Sequence, residues 1–315
     1  MSDRKLVIIS EHLSEEAEAW IAERCAVVHC GYDDPDFEQR LTEAEGLVIR
    51  TYTTLDRTSL EKATKLKVIG RAGTGLDNID LGACRDLGIE VVYRPEANTQ
   101  AVVEYVFFLL GDALRPRTIL TQPVDASAWS QIRAETVAPH QLSELTMGIL
   151  GMGRVGSGVA RVAAAFGMKV LFSDLREVPD AERYGAESVP VGDLFALSDV
   201  VSLHVDGRES NRKFVRESLL EHMKSNAMLI NTSRGFVVDN ESLADKLGKN
   251  PEMLALLDVH EPEPFGADYP LLGLANVRLY PHLASRTKRA MDEMSWVVRD
   301  VVAVLEGEHP KYLAP

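Results

Sequence analysis

Three side chains of complementary chemistry each follow a strand-like run in the second half of this 315-residue chain. Arg234 stands in Asn231-Thr232-Ser233-Arg234-Gly235, after the apolar run Met228–Asn231. Glu263 stands in Asp258-Val259-His260-Glu261-Pro262-Glu263-Pro264, after Leu254–Asp258. His282 stands in Tyr280-Pro281-His282-Leu283-Ala284-Ser285, after Val277–Leu279. Ligands of open α/β sheets bind beyond the carboxyl ends of strands, so these residues can converge on one sheet edge. A guanidinium can grip a carboxylate through two N–H donors and polarise a neighbouring carbonyl. An imidazole can give or take the proton that accompanies hydride transfer. A carboxylate can orient that imidazole and stabilise its protonated form. Residue type alone leaves competitors: Glu261 for the carboxylate role, and His260 and His204 for the histidine role. An arginine after a strand or a histidine beside proline is, taken singly, usually a solvated loop residue.

A second constellation lies upstream. Thr146-Met147-Gly148-Ile149-Leu150-Gly151-Met152-Gly153-Arg154-Val155-Gly156 reads as an apolar strand, a G-x-G-x-x-G turn and a helix start. Lys169–Ser173 is the next strand, closed by Asp174. Gly151 permits a tight turn, Gly153 lets a pyrophosphate approach the backbone, and Gly156 lets the helix pack on the strand. Asp174 is placed to accept hydrogen bonds from a ribose. A glycine turn alone is common; in register with strand, helix and terminal acid it predicts a bound adenine dinucleotide. A carboxylate at the ribose would repel a 2′-phosphate, so NAD is expected over NADP. Arg176, two residues on, is the residue that could offset this preference.

The elements that must position these groups alternate. Leu6–Ile9, Ala26–Val28, Gly46–Ile49, Leu66–Ile69 and Ile89–Val92 are short apolar runs separated by helix-like segments. That pattern implies a parallel sheet with right-handed crossovers. Ala97–Arg115 reads as a long helix, too hydrophobic all round for a surface position. Pro116 to about Ser143 reads as a polar linker or wrapping segment. A second series supplies six strands: Gly148–Leu150, Val170–Ser173, Val200–Leu203, Met228–Asn231, Leu254–Asp258 and Val277–Leu279, the count of a doubly wound dinucleotide domain. About Lys288 to Leu305 forms one closing amphipathic helix. The expected organisation is therefore two α/β domains, the second inserted in the first: 1–97, 98–286 and 287–315.

Composition narrows the class. The chain is 45% hydrophobic and 26% charged, with a formal net charge of −14. That charge argues against a nucleic-acid partner, and no segment is apolar enough to predict a membrane partner. Met1–Lys5 runs straight into a strand-like stretch, leaving no room for a signal peptide. Cys25, Cys30 and Cys84 show neither metal-ligand spacing nor an even disulfide set, so reduced thiols, a cytoplasmic location and no metal are expected.

The chain resembles the D-isomer-specific 2-hydroxyacid dehydrogenase family over nearly its whole length. The resemblance is carried by Arg71-Ala72-Gly73-Thr74-Gly75-Leu76-Asp77-Asn78-Ile79-Asp80, Gly151–Gly156 with Ala163–Val170, Asn231–Gly235, Leu257–Pro264 and Pro281–Ser285. It implies a flavodoxin-like substrate domain with an inserted Rossmann NAD domain. It assigns the catalytic roles to Arg234, Glu263 and His282, so that Glu261 and His260 fall away. It implies cofactor contacts at Thr74, Arg154, Val155, Asp174, Thr232 and Asp258, in addition to Gly151, Gly153 and Gly156. Formate dehydrogenases resemble this family but carry Gln at the position of Glu263. The retained Glu–His pair favours alcohol oxidation or ketone reduction.

The substrate is expected to be a small 2-hydroxy or 2-oxo acid held by Arg234 and the Gly73-Thr74-Gly75 turn. Gly70–Asp80 resembles the 3-phosphoglycerate dehydrogenase branch, in which first-domain arginines hold the substrate phosphate. Arg50 and Arg71 occupy matching positions, while Arg133 matches poorly. The alternatives are a hydroxypyruvate or glyoxylate reductase, or a non-catalytic NADH-sensing scaffold like the related corepressors. His204-Val205-Asp206-Gly207 lacks the family's usual proline in a loop near the adenosine. The chain stops at Pro315 without a C-terminal regulatory module, so feedback through such a module is not expected. Likeness to the family implies a homodimer.

Overall fold

A computed structural model describes residues 4–115 and 117–315, which divide into two compact units. One comprises residues up to Asn98 together with Ser285–Pro315; the other is Thr99–Ala284.

The first unit holds five parallel strands: β1 (Leu6–Ile9), β2 (Ala26–His29), β3 (Gly46–Ile49), β4 (Val68–Arg71) and β5 (Glu90–Tyr93). Their order is β2-β1-β3-β4-β5, the flavodoxin-like arrangement. Every residue of β3 and β4 is buried, as expected of strands covered on both faces. One face packs Ile8, Leu47, Ile49 and Ile69; the other packs Val7, Ile9, Val48 and Val68 against Val297, Val298 and Val301. The closing segment is two helices, Lys288–Ser295 and Val298–Glu306, where the sequence pattern predicts one.

The second unit is a seven-stranded parallel sheet. Its strands are β6 (Thr146–Leu150), β7 (Lys169–Ser173), β8 (Glu187–Ser188), β9 (Val200–Leu203), β10 (Met228–Asn231), β11 (Leu254–Leu257) and β12 (Val277–Leu279). Their order, β12-β11-β10-β9-β6-β7-β8, is that of a Rossmann sheet. The chain direction across the sheet reverses between β6 and β9, and this switch point is where such sheets bind ligands. The expected class, two doubly wound parallel-sheet domains of flavodoxin-like and Rossmann type, is the class observed.

Three local expectations need correcting. β8 is a seventh strand, two exposed polar residues long, and so too short to leave an apolar signal. The segment read as an irregular linker contains a helix, Ala126–Glu135, whose N-cap Asp125 accepts from Ala128 N at 2.8 Å. The apolar helix read as Ala97–Arg115 spans Thr99–Leu114.

Candidate active site

The glycine turn sits at the switch point. Gly151 has φ +92°, and a Cβ there would meet the His204 carbonyl oxygen at 2.7 Å, so β6 and β9 diverge around a position only glycine fills well. Gly156 lies under the turn: a Cβ would come within 2.0 Å of Gly151 O. Gly153 differs from both. Nothing lies within 4 Å of the Cβ position it lacks, which leaves open space at the N-terminus of the helix Arg154–Ala165. Arg154 is exposed and Val155 half-buried. Asp174 closes β7 and takes a hydrogen bond from Met152 N at 2.5 Å and from Arg176 N at 2.8 Å. The Arg176 side chain turns to Met152 O at 2.6 Å and Glu182 at 3.0 Å.

The strand ends of β10, β11 and β12 carry the other groups. Glu263 Oε2 meets His282 Nδ1 at 2.8 Å, while Oε1 accepts from His260 N at 2.7 Å. Burial pushes the Glu263 carboxyl up, but the His282 hydrogen bond and charge and the His260 N–H outweigh it and hold it below its ordinary value. Glu261 turns outward and lies 3.7 Å from Arg212. His260 is buried with Nε2 on the Tyr280 carbonyl at 2.8 Å and Nδ1 3.3 Å from Tyr269 Oη. His204 pairs with Ser202 Oγ at 2.8 Å, and burial pushes it down to about 3. Of the three histidines only His282 faces Glu263.

His282 adopts φ +54°, a left-handed backbone that a non-glycine residue holds only where its surroundings enforce it. Asp258 supplies the enforcement. Its carboxylate accepts from Leu283 N and Ala284 N, each at 2.8 Å, and its carbonyl accepts from His282 N at 2.9 Å. Burial lifts the Asp258 carboxyl above its ordinary value against the pull of those two N–H groups. Tyr105, on the helix Thr99–Leu114, lies near enough to Asp258 that the carboxylate's charge adds to burial in pushing the phenol up.

Arg234 is seated by Asn231. The Asn231 amide donates to Arg234 O at 2.9 Å, and its oxygen accepts from Ser233 N and Oγ at 3.0 and 2.8 Å. Arg234 Nη1 donates to Ser233 O at 2.8 Å. The Asp206 carboxyl is held low first by its Arg208 hydrogen bond and further by the charge of Arg234. Gly235 ties this loop to the next, because a Cβ there would fall 2.0 Å from the His260 carbonyl.

The place of Tyr105 near Asp258 and the Gly235 contact are absent from the sequence expectations. A tyrosine inside an otherwise apolar helix is the signal for the first, since a buried hydroxyl needs a partner. The Arg-Gly pair after a strand is the signal for the second.

In the first unit, Arg71 ends β4 and is buried. Its guanidinium lies on the Gly73 backbone, where a Cβ would meet Nη1 at 1.4 Å. Thr74 Oγ1 donates to Asn98 Oδ1 at 2.6 Å, and Gly75 is half-buried beside it. Arg50 follows β3, with Nη1 on His12 O at 3.2 Å and Nη2 on Met291 Sδ at 3.0 Å. Arg133 sits exposed on the helix Ala126–Glu135.

The second unit fits a dinucleotide on two observations. Gly153 leaves open backbone at a helix N-terminus, where phosphates are stabilised. Thr232 Oγ1 is buried with no hydrogen-bond partner within the described residues. The unit thus combines a Rossmann-ordered sheet, a glycine cradle at its switch point and a His–Glu pair beyond its strand ends, the arrangement of a dinucleotide-binding domain with an acid–base pair at the same sheet edge.

Comparison with known proteins makes the class specific. Residues 107–284 match the D-isomer specific 2-hydroxyacid dehydrogenase NAD binding domain, and the chain belongs to this family. Its cofactor is accordingly NAD. It is 34% identical over 308 residues to D-3-phosphoglycerate dehydrogenase of Methanocaldococcus jannaschii, covering 96% of this chain and 58% of that one. It is 37% identical to glyoxylate reductase of Korarchaeum cryptofilum, covering 87% and 84%. It is 34% identical to (S)-sulfolactate dehydrogenase of Chromohalobacter salexigens, covering 96% and 97%. The fold of D-lactate dehydrogenase from Aquifex aeolicus, solved with NAD and lactic acid, matches with TM-score 0.82 at 27% identity over 96% of each chain. The chain spans somewhat over half the length of the phosphoglycerate dehydrogenases it matches. Among the described residues no helix is long and apolar enough to cross a membrane.

Proposed function

We propose that this protein is an NAD-dependent dehydrogenase or reductase of a small D-2-hydroxy acid, with 3-phosphoglycerate and its 2-oxo counterpart as the leading substrate pair. The observation that carries the reading is the 2.8 Å contact of His282 Nδ1 with Glu263. It presents the opposite ring nitrogen, Nε2, as the proton donor or acceptor for a substrate oxygen, and it stabilises the charged ring once the proton has been taken. The left-handed backbone of His282, enforced by Asp258, fixes where that nitrogen points.

Arg234 would grip the substrate carboxylate with its planar fork and polarise the adjacent carbonyl. NAD, when bound, supplies or accepts the hydride. Gly151, Gly153, Arg154, Val155 and Gly156 would hold its pyrophosphate, Asp174 its ribose, and Thr74, Thr232 and Asp258 its nicotinamide end. Arg176 is spent on Glu182 and the Met152 carbonyl, which supports NAD over NADP.

The backbone of Gly73-Thr74-Gly75 would assist the carboxylate, and Arg50 and Arg71 would take a distal phosphate. Support for the phosphorylated substrate comes from two strand-end arginines in one unit and from likeness to phosphoglycerate dehydrogenases. The three cysteines are buried free thiols, which supports a cytoplasmic setting. The assembly proposed is a homodimer.

The test is NADH oxidation with glyoxylate, hydroxypyruvate, 3-phosphohydroxypyruvate and 3-sulfopyruvate. The phosphorylated acid is expected to show the highest kcat/KM. Tight NADH binding with no turnover of any 2-oxo acid would instead establish the sensing scaffold.

A further inference from the structure

We propose that Arg286 is a specificity-determining residue that pairs with Arg50 to hold a tetrahedral oxyanion at the distal end of the substrate. The inference rests on the dehydrogenase reading and adds a residue that the resemblance does not supply.

Both residues belong to the first unit. Arg50 has a fixed backbone. The Glu11 carboxylate accepts from the N–H groups of Arg50, Thr51, Tyr52 and Thr53 at 2.9–3.1 Å, and from Thr53 Oγ1 at 3.1 Å. From that anchor the Arg50 guanidinium lies along the helix Lys288–Ser295, reaching Met291 Sδ at 3.0 Å. Arg286 precedes this helix by two residues, beside the N-cap Thr287, whose hydroxyl accepts from Ala290 N at 3.2 Å. Arg286 therefore stands just before the start of the same helix whose Met291 the Arg50 guanidinium contacts.

The charges agree with this placement. Burial holds Arg50 below its ordinary value; Glu11 opposes the shift and the Arg286 charge adds to it. Arg286 is exposed, and among the described residues it makes no hydrogen bond or ion pair. The one carboxylate acting on Arg50 has its oxygens filled by backbone amides. Two guanidinium groups that repel each other are stabilised by an anion placed between them, and planar forks match the oxygens of phosphate. The positive end of the adjoining helix dipole has the same sign. A substrate bearing only a hydroxyl or hydrogen at that end would leave the repulsion in place. Phosphate and sulfonate share the tetrahedral oxyanion chemistry, and the test separates them.

The experiment compares wild type, Arg286→Gln and Arg286→Lys in NADH oxidation with 3-phosphohydroxypyruvate, 3-sulfopyruvate and hydroxypyruvate. Thermal unfolding of each variant confirms that it is folded. In Arg286→Gln the kcat/KM ratio of phosphorylated to unphosphorylated acid is expected to fall by about tenfold or more, through KM and not kcat, as for loss of one charge-assisted contact. Arg286→Lys should recover part of that loss. A fall with both charged acids supports an oxyanion site, and a fall with the phosphorylated acid alone narrows it to phosphate. A wild type that prefers 3-phosphohydroxypyruvate while Arg286→Gln keeps the wild-type ratio overturns the inference and leaves the dehydrogenase reading standing. A wild type that prefers hydroxypyruvate to both charged acids does the same. A wild type inactive with every 2-oxo acid overturns the reading on which the inference rests.

Discussion

Two regions of the second unit are built on opposite terms. The loops after β10, β11 and β12 are closed by the chain's own groups. Asp258, Asn231 and Glu263 each take or give two or more hydrogen bonds, and Gly235 leaves no room for a methyl group against His260. The stretch 117–144 contains no buried residue at all, yet carries Ile119 at 84%, Val137 at 71% and Trp129 at 50% exposure. The first region is finished within one chain, and its rigidity suits groups that must hold a reacting geometry. The second leaves these apolar side chains exposed within its own chain. The proposed chemistry draws on the first region, and the second is the surface that the proposed homodimer would use.

The sharpest way to break the comparison is to remove the group that the closed loops exist to hold. His282→Ala should lower kcat by about a hundredfold or more, the scale of general acid–base catalysis, with NADH affinity retained in fluorescence titration. An unchanged kcat would show that the Glu263–His282 contact is structural. A smaller effect comes from loosening the loops without touching that pair. Gly235→Ala forces a methyl against the His260 carbonyl and should cost about 1–3 kcal/mol of stability in urea unfolding, as overpacking does. Turnover should fall with it, since the same shift displaces Arg234 and the His260 N–H that steadies Glu263. The matched control is Gly248→Ala on the helix Asn240–Lys249, where the added methyl meets nothing within 4 Å. There the change should stabilise by up to about 1 kcal/mol, because alanine is the better helix former. Equal costs at the two positions would show that the contact at His260 constrains nothing.

Much of the fold was legible because buried parallel strands and their helices leave strong apolar signals. β3, β4, β9 and β10 are fully buried runs of four residues, and each appears in sequence as an apolar cluster within two residues of its place. Where burial is absent the signal fails. β8 is two exposed residues, and the helix Ala126–Glu135 buries none of its side chains, so neither has a periodicity to read. The break between the two closing helices falls at Trp296–Val297, with neither glycine nor proline to announce it. The glycine turn was readable residue by residue: Gly151 and Gly156 answer steric demands that the spacing implies, and Gly153 keeps the open backbone that it also implies. The choice of Glu263 over Glu261 was not. Four residues of loop separate Glu263 from Asp258; residue type leaves Glu261 open, the family resemblance picks Glu263, and the contacts with His260 N and His282 show that this carboxylate turns inward.

The gentlest test addresses the open region. If 117–144 is covered by a second copy of the chain, wild-type protein should sediment as a dimer at micromolar concentration. Trp129→Asp combined with Val137→Asp places two charges where apolar contact is expected, and should shift the population to monomer. Neither side chain is buried in its own chain, so unfolding of the isolated subunit should change little, as for surface substitutions away from packed features. Turnover per subunit should fall far less than in His282→Ala, because every group that holds His282 lies within the same chain. A wild type that is monomeric at all concentrations would remove the second copy as the partner. A doubly substituted monomer that loses turnover as completely as His282→Ala would erase the comparison itself, by making the site depend on the surface that its own hydrogen bonds leave out.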